Sequence, residues 1–97
     1  MGIDDILAGH RDAIREAARS FGVKSVYIFG SVARGEARPD SDVDVLVEYD
    51  HPVGLFEFVR LKRRLEDILG RPVDMTTEDA LKPALRESIR KEAVRAA

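Results

Sequence analysis

Apolar positions along this chain change their spacing from one stretch to the next, and the changes divide it into elements. Ile6, Leu7, Ala13, Ile14, Ala17, Ala18 and Phe21 recur at three- and four-residue steps. That is the period of one helix face, and it predicts a first helix over about residues 4 to 20, ended by Gly22. Val26 to Phe29 is a short run of β-branched and aromatic residues stopped by Gly30. Such a run reads as buried on both faces, within a first strand over about residues 23 to 29. From Asp42 to Tyr49 the step falls to two: Asp42, Asp44, Leu46 and Glu48 share one side of a second strand, and Val43, Val45, Val47 and Tyr49 the other. Between the two strands, SVARG suits one helical turn and EARPDS an exposed turn.

After Asp50-His51-Pro52 the helical period returns. Leu55, Phe58, Val59, Leu65, Ile68 and Leu69 mark a long helix with Gly70 as its stop and Pro72 just beyond. Val73 to Thr76 reads as a short third strand carrying Asp74. Thr77-Glu78-Asp79 resembles a helix start, with acids where the helix dipole favours them. Pro83 belongs in a first turn rather than an interior, which predicts a break near Lys82 and a last helix from about Pro83 to Val94, with Leu81, Leu85 and Ile89 on its inner face. The order helix, strand, strand, helix, strand, helix implies an α/β (α+β) fold, a small mixed sheet of about three strands with helices packed on one face.

Composition narrows the choice. With 97 residues, 44% of them hydrophobic, the chain makes one domain, residues 1–97, with a modest core. Charged residues reach 35% but the net charge is only -2, which excludes a strongly basic polyanion binder. Cysteine is absent, and with it any disulfide, thiolate zinc site or cysteine nucleophile. No run approaches the ~18 apolar residues of a membrane span, and MGIDDILAGHRD lacks the order of a signal peptide, so a cytoplasmic protein is expected. Arg11, Arg15 and Arg19 form a basic stripe on the first helix, and Arg60, Lys62, Arg63 and Arg64 a basic face on the second. A solvated face is the ordinary reading of both, and for the Arg11-Arg15-Arg19 stripe a contact with a phosphate-rich or acidic partner is the alternative. Phe21, Tyr27, Phe29, Phe56 and Phe58 do not interleave with a basic cluster and read as core or partner contacts, so the sequence gives no direct sign of nucleic-acid binding.

Asp42 and Asp44 are the unusual feature. Alternate strand residues lie ~6.6 Å apart and point the same way, so the two carboxylates converge in front of the sheet, and Asp74 joins them if the third strand lies beside the second. Like charges ~4 Å apart repel by about 4 kcal/mol at an effective dielectric of 20. Such a group either protonates or takes a cation, and oxygen-only ligands suit Mg²⁺ or Mn²⁺. Two ions bridged by shared carboxylates suit phosphoryl or nucleotidyl transfer. Gly30-Ser31 supplies the complement: a glycine at a strand end lets an anion approach the backbone, and the SVARG turn offers N–H groups and the Ser31 hydroxyl to phosphate. Arg34 is placed to touch a triphosphate or to pair with Glu36 or Asp40. Ser41 shapes the turn before Asp42.

GSVARGEARPDSDVDVLV resembles the signature of nucleotidyltransferases related to DNA polymerase β, in particular the small minimal nucleotidyltransferase (MNT) domains. The likeness extends from the leading helix through RPVDM to ALKPALRESIRKEAV. It implies a site in which Asp42 and Asp44 hold two Mg²⁺ ions while Asp74 assists one metal or accepts a proton. It also implies that Gly30 and Ser31 hold the β and γ phosphates of a nucleoside triphosphate, and that AMP passes from ATP to an acceptor with release of pyrophosphate. Similar domains pair with a HEPN-family RNase toxin and act as its antitoxin by adenylylating a toxin tyrosine, which makes such a toxin the implied partner. The alternative is a non-catalytic antitoxin that neutralises its partner by binding, with the nucleotide site idle or regulatory. A shallow one-domain site closes better with a second chain, so the sequence leaves a homodimer or a hetero-complex open.

Overall fold

The computed structural model describes residues 6–38 and 40–97. Its elements are α1 (Arg11–Ser20), β1 (Val23–Phe29), α2 (Gly30–Ala33), β2 (Val43–Tyr49), α3 (Leu55–Leu69), β3 (Val73–Thr77), a 3-10 turn (Glu78–Ala80), α4 (Pro83–Glu92) and β4 (Val94–Arg95). The strands form one sheet in the order β3-β2-β1-β4. β1 runs antiparallel to β2 and to β4, whereas β2 and β3 are parallel and α3 is the crossover between them.

The valine side of β2 makes the core. Val43, Val45 and Val47 are at most 1% exposed, and they join Val26 and Ile28 of β1, Ile14, Ala17 and Ala18 of α1, and Leu61 and Leu65 of α3 in one apolar cluster. The two longer helices therefore cover this face, as their apolar periods require. Burial of each large side chain contributes roughly 1.5–3 kcal/mol, which fixes the sheet firmly from behind. β3 is tied into the same layer at its first residue, where the Val73 N–H donates to Glu66 Oε2 of α3 at 2.9 Å.

Four features differ from the sequence expectation. The first helix is not continuous over residues 4 to 20. Ile6 and Leu7 are helical and buried, but Gly9 takes a positive φ of 74° and α1 proper begins at Arg11; Asp4 and Asp5 lie outside the described residues. β1 is not buried on both faces, since Val26 and Ile28 are core while Tyr27 and Phe29 remain partly exposed on the side shared with the acids. Thr77-Glu78-Asp79 starts only a single 3-10 turn, and the true helix begins at Pro83, in the first turn as its fixed φ favours. Finally the sheet has four strands. The last helix stops at Glu92, Ala93 is extended, and Val94 and Arg95 pair with Ile28 and Tyr27. Two residues are too short to carry a period, so β4 leaves no alternation to read. Among the described residues no helix is long and apolar enough to cross a membrane.

Candidate active site

Register gathers the acids. Asp44, the second residue of β2, is the pairing partner of Phe29 on β1 and of Asp74 on β3. Neighbouring strands lie ~4.8 Å apart, so Asp44 and Asp74 stand side by side on the face opposite the valines. Asp42 lies just before the strand and is exposed, as is Asp74, while Asp44 is half-buried. Burial, followed by the charges of Asp74 and Asp42, pushes the Asp44 carboxyl above the ordinary carboxylate range, and Arg34 partly opposes the shift. The charges of Asp74 and Asp42 thus act on Asp44, as the alternation of β2 and the placement of β3 predict.

Gly30 closes in from β1. Its φ of 73° is left-handed, and a Cβ in its place would lie inside the van der Waals shell of Asp44 Oδ2. Glycine is therefore required twice, by the backbone and by the aspartate beside it. Ser31, half-buried, and Val32, fully buried, continue into the short α2. Arg34 follows that turn. Its Nε donates to Glu36 at 3.2 Å and its Nη1 to Glu92 at 3.0 Å, so of the two expected partners Glu36 is engaged. The Ser41 hydroxyl accepts the Arg38 N–H at 2.9 Å, the turn-shaping role expected of it.

These groups open onto a cavity of about 540 Å³, bounded on the sheet side by Phe29, Gly30, Arg34, Asp44, Asp74 and Thr76. α4 forms its other wall, with Leu85, Ile89 and Glu92 facing in. Asp42 and Ser31 stand beside this lining rather than in it. A second cavity, about 570 Å³, lies at the opposite end of β2 around Tyr49, His51 and Glu78 and holds none of the candidate residues.

Sequence reasoning missed Glu92, whose Oε1 accepts the Gly30 N–H at 3.1 Å while its Oε2 accepts Arg34. A signal existed: Glu92 continues the Leu85-Ile89 stripe at a helical step, a carboxylate on an otherwise apolar face.

Among the described residues no group of three His, Asp or Glu side chains is arranged to hold a metal ion as it stands. The donor set nevertheless fits one. Asp44, its proton affinity raised by burial and by the neighbouring charges of Asp74 and Asp42, makes with them an oxygen-rich, electronegative spot, and Mg²⁺ is commonly held by one or two carboxylates with substrate phosphates completing its shell.

A small mixed sheet with an acid pair at the entry of a central strand and a glycine turn beside it is the arrangement to set against known proteins. Residues 10–96 match the nucleotidyltransferase domain model, and the chain belongs to that family. It is 39% identical over 92 residues to the protein adenylyltransferase MntA of Thermococcus cleftensis, covering 95% of this chain and 90% of that one. A solved structure of a candidate minimal nucleotidyltransferase superposes with a TM-score of 0.82 at 42% identity, covering 97% of this chain and 95% of the other. An MNT antitoxin bound to a tri-AMPylated Shewanella oneidensis HEPN toxin shares the fold, with a TM-score of 0.70, 16% identity, and coverage of 94% of this chain and 71% of that one. The protein is a nucleotidyltransferase.

Proposed function

We propose that this nucleotidyltransferase transfers AMP from ATP to a hydroxyl of a protein acceptor, a tyrosine of a HEPN-family toxin, and so acts as that toxin's antitoxin in the cytoplasm. The observation that carries the chemistry is Asp44, set between Asp74 and Gly30 at the mouth of a cavity sized for a nucleotide. The acceptor and the antitoxin role are argued from likeness to a protein adenylyltransferase and to an antitoxin complexed with an AMPylated toxin.

Asp42 and Asp44 would hold two Mg²⁺ ions, with Mn²⁺ a chemical substitute, and Asp74 would assist one of them. Bound there, the cations offset the triphosphate charge and the charge that develops in the transition state. The protein's share is orientation. Gly30 and Ser31 receive the β and γ phosphates, Arg34 adds a positive charge at their flank, and the α-phosphate then faces the acids. The acceptor oxygen forms a bond to the α-phosphorus as the bond to pyrophosphate breaks, and the hydroxyl proton passes to Asp74.

The test combines labelled ATP, Mg²⁺ and the product of the neighbouring gene as candidate toxin. Label should appear on the toxin with the wild type and disappear with Asp44→Asn; transfer that survives the substitution ends the assignment. A second reading, neutralisation by binding alone, draws on Leu55 and Phe56, which are 75% and 86% exposed at the start of α3 and offer an apolar contact. Asp42→Asn with Asp44→Asn decides between the two. Loss of neutralisation while the complex persists excludes the binding-only role.

A further inference from the structure

Glu92 spans two donors with its two oxygens, accepting the Gly30 N–H at 3.1 Å and Arg34 Nη1 at 3.0 Å. Both donors belong to the groups assigned above to the triphosphate. A carboxylate that bridges a backbone N–H and a guanidinium meets the same demand for charge and acceptors as a phosphate. The Gly30 amide has one hydrogen, so it serves Glu92 or a phosphate oxygen, not both at full strength.

We propose that Glu92 is a built-in competitor: it holds the phosphate-binding donors in the nucleotide-free protein and must withdraw before a nucleoside triphosphate seats. This inference rests on the reading of Gly30 and Arg34 as phosphate ligands. The position of Glu92 in the chain permits the movement. It is the last residue of α4, after which Ala93 is extended and β4 anchors the chain to β1 through Val94 and Arg95. Unwinding the final helical turn frees the carboxylate without disturbing the β4 pairing. α4 itself is lightly held, with Ile89 its one buried residue and Leu85 53% exposed over the cavity. Segments with few buried apolar contacts move at low cost.

Glu92 also places a fourth carboxylate near three acids, and Arg34 compensates it. A triphosphate carrying its cations replaces the carboxylate at Gly30 and Arg34 and neutralises the acids together. Entry therefore selects for a polyphosphate that brings a divalent ion, and discriminates against small monoanions too weak to displace an internal ligand. The closed fraction lowers apparent affinity in proportion to its population.

The experiment is calorimetric titration of the full chain in Mg²⁺ with ATP, tripolyphosphate and adenosine as separate probes, on wild type, Glu92→Gln and Glu92→Ala. Thermal unfolding of each variant establishes that it is folded. Losing the competitor should lower the Kd for ATP and for tripolyphosphate by roughly tenfold. Glu92→Gln, which keeps size and one acceptor, gains less than Glu92→Ala, and adenosine affinity does not change. Variants that are folded but bind ATP and tripolyphosphate no tighter than the wild type overturn the competitor role alone. If no form, wild type included, binds either polyphosphate, the nucleotide reading of the site falls and the competitor with it.

Discussion

The two faces of β2 differ in everything but their backbone. Val43, Val45 and Val47 look into a sealed apolar layer, at most 1% exposed, and every neighbour they have could be exchanged only for something of similar size. One residue along, Asp44 looks the other way, into a cavity where its ionised form is disfavoured. Stability is therefore concentrated on one side and spent on the other, and the strand couples the two because its register fixes both at once. The difference teaches that the acids are held in place by residues they never touch.

Leu61→Ala should give the largest effect on this contrast. Leu61 is 0% exposed behind the sheet, so truncation should cost about 2–5 kcal/mol in chemical denaturation while leaving the acid face chemically intact. A loss well below that range would mean the rear layer is looser than its burial implies. Gly30→Ala comes next, since it combines a left-handed backbone with a collision at Asp44. It should cost about 1–3 kcal/mol and depress nucleotidyl transfer beyond what the stability loss explains; unchanged transfer would separate Gly30 from the proposed site.

Asp44→Asn has the smallest effect on stability and the opposite sign. The folded protein raises the Asp44 pKa, so the folded state binds the proton more tightly than the unfolded chain, and stability falls as pH rises through that window. Asparagine removes this cost. The variant should melt above the wild type at neutral pH, with the gain vanishing once pH drops below the ordinary carboxylate range. Partial exposure keeps the gain small. Equal melting temperatures at neutral pH would show that Asp44 carries no electrostatic strain.

Much of this is legible in the sequence. The alternation over Val43 to Tyr49 separates core from acids correctly, and β1 spans Val23 to Phe29 as its composition and its stop at Gly30 suggest. Gly70 ends α3 at the expected residue. What escaped detection depends on contacts between distant positions. β4 exists because Val94 and Arg95 find an open edge of β1, not because two residues have a strong preference. Glu92 and Gly30 are 62 residues apart, and no local pattern announces that one will accept the other's N–H. The open side of β1 was likewise hidden, because Tyr27 and Phe29 look like core by type and are half-exposed by position.

The parallel register of β2 and β3 bears on insertions and deletions. Side chains alternate with a period of two, so removing one residue inside Val43–Tyr49 would send the remaining acids into the valine layer and the valines into the cavity. Length changes in the connection from Tyr49 to Leu55 spare that alternation, since the strand is fixed before the chain reaches it. Lineages of this domain should therefore vary freely in the length of that connection and keep a constant residue count between Gly30's neighbour Asp44 and the end of β2.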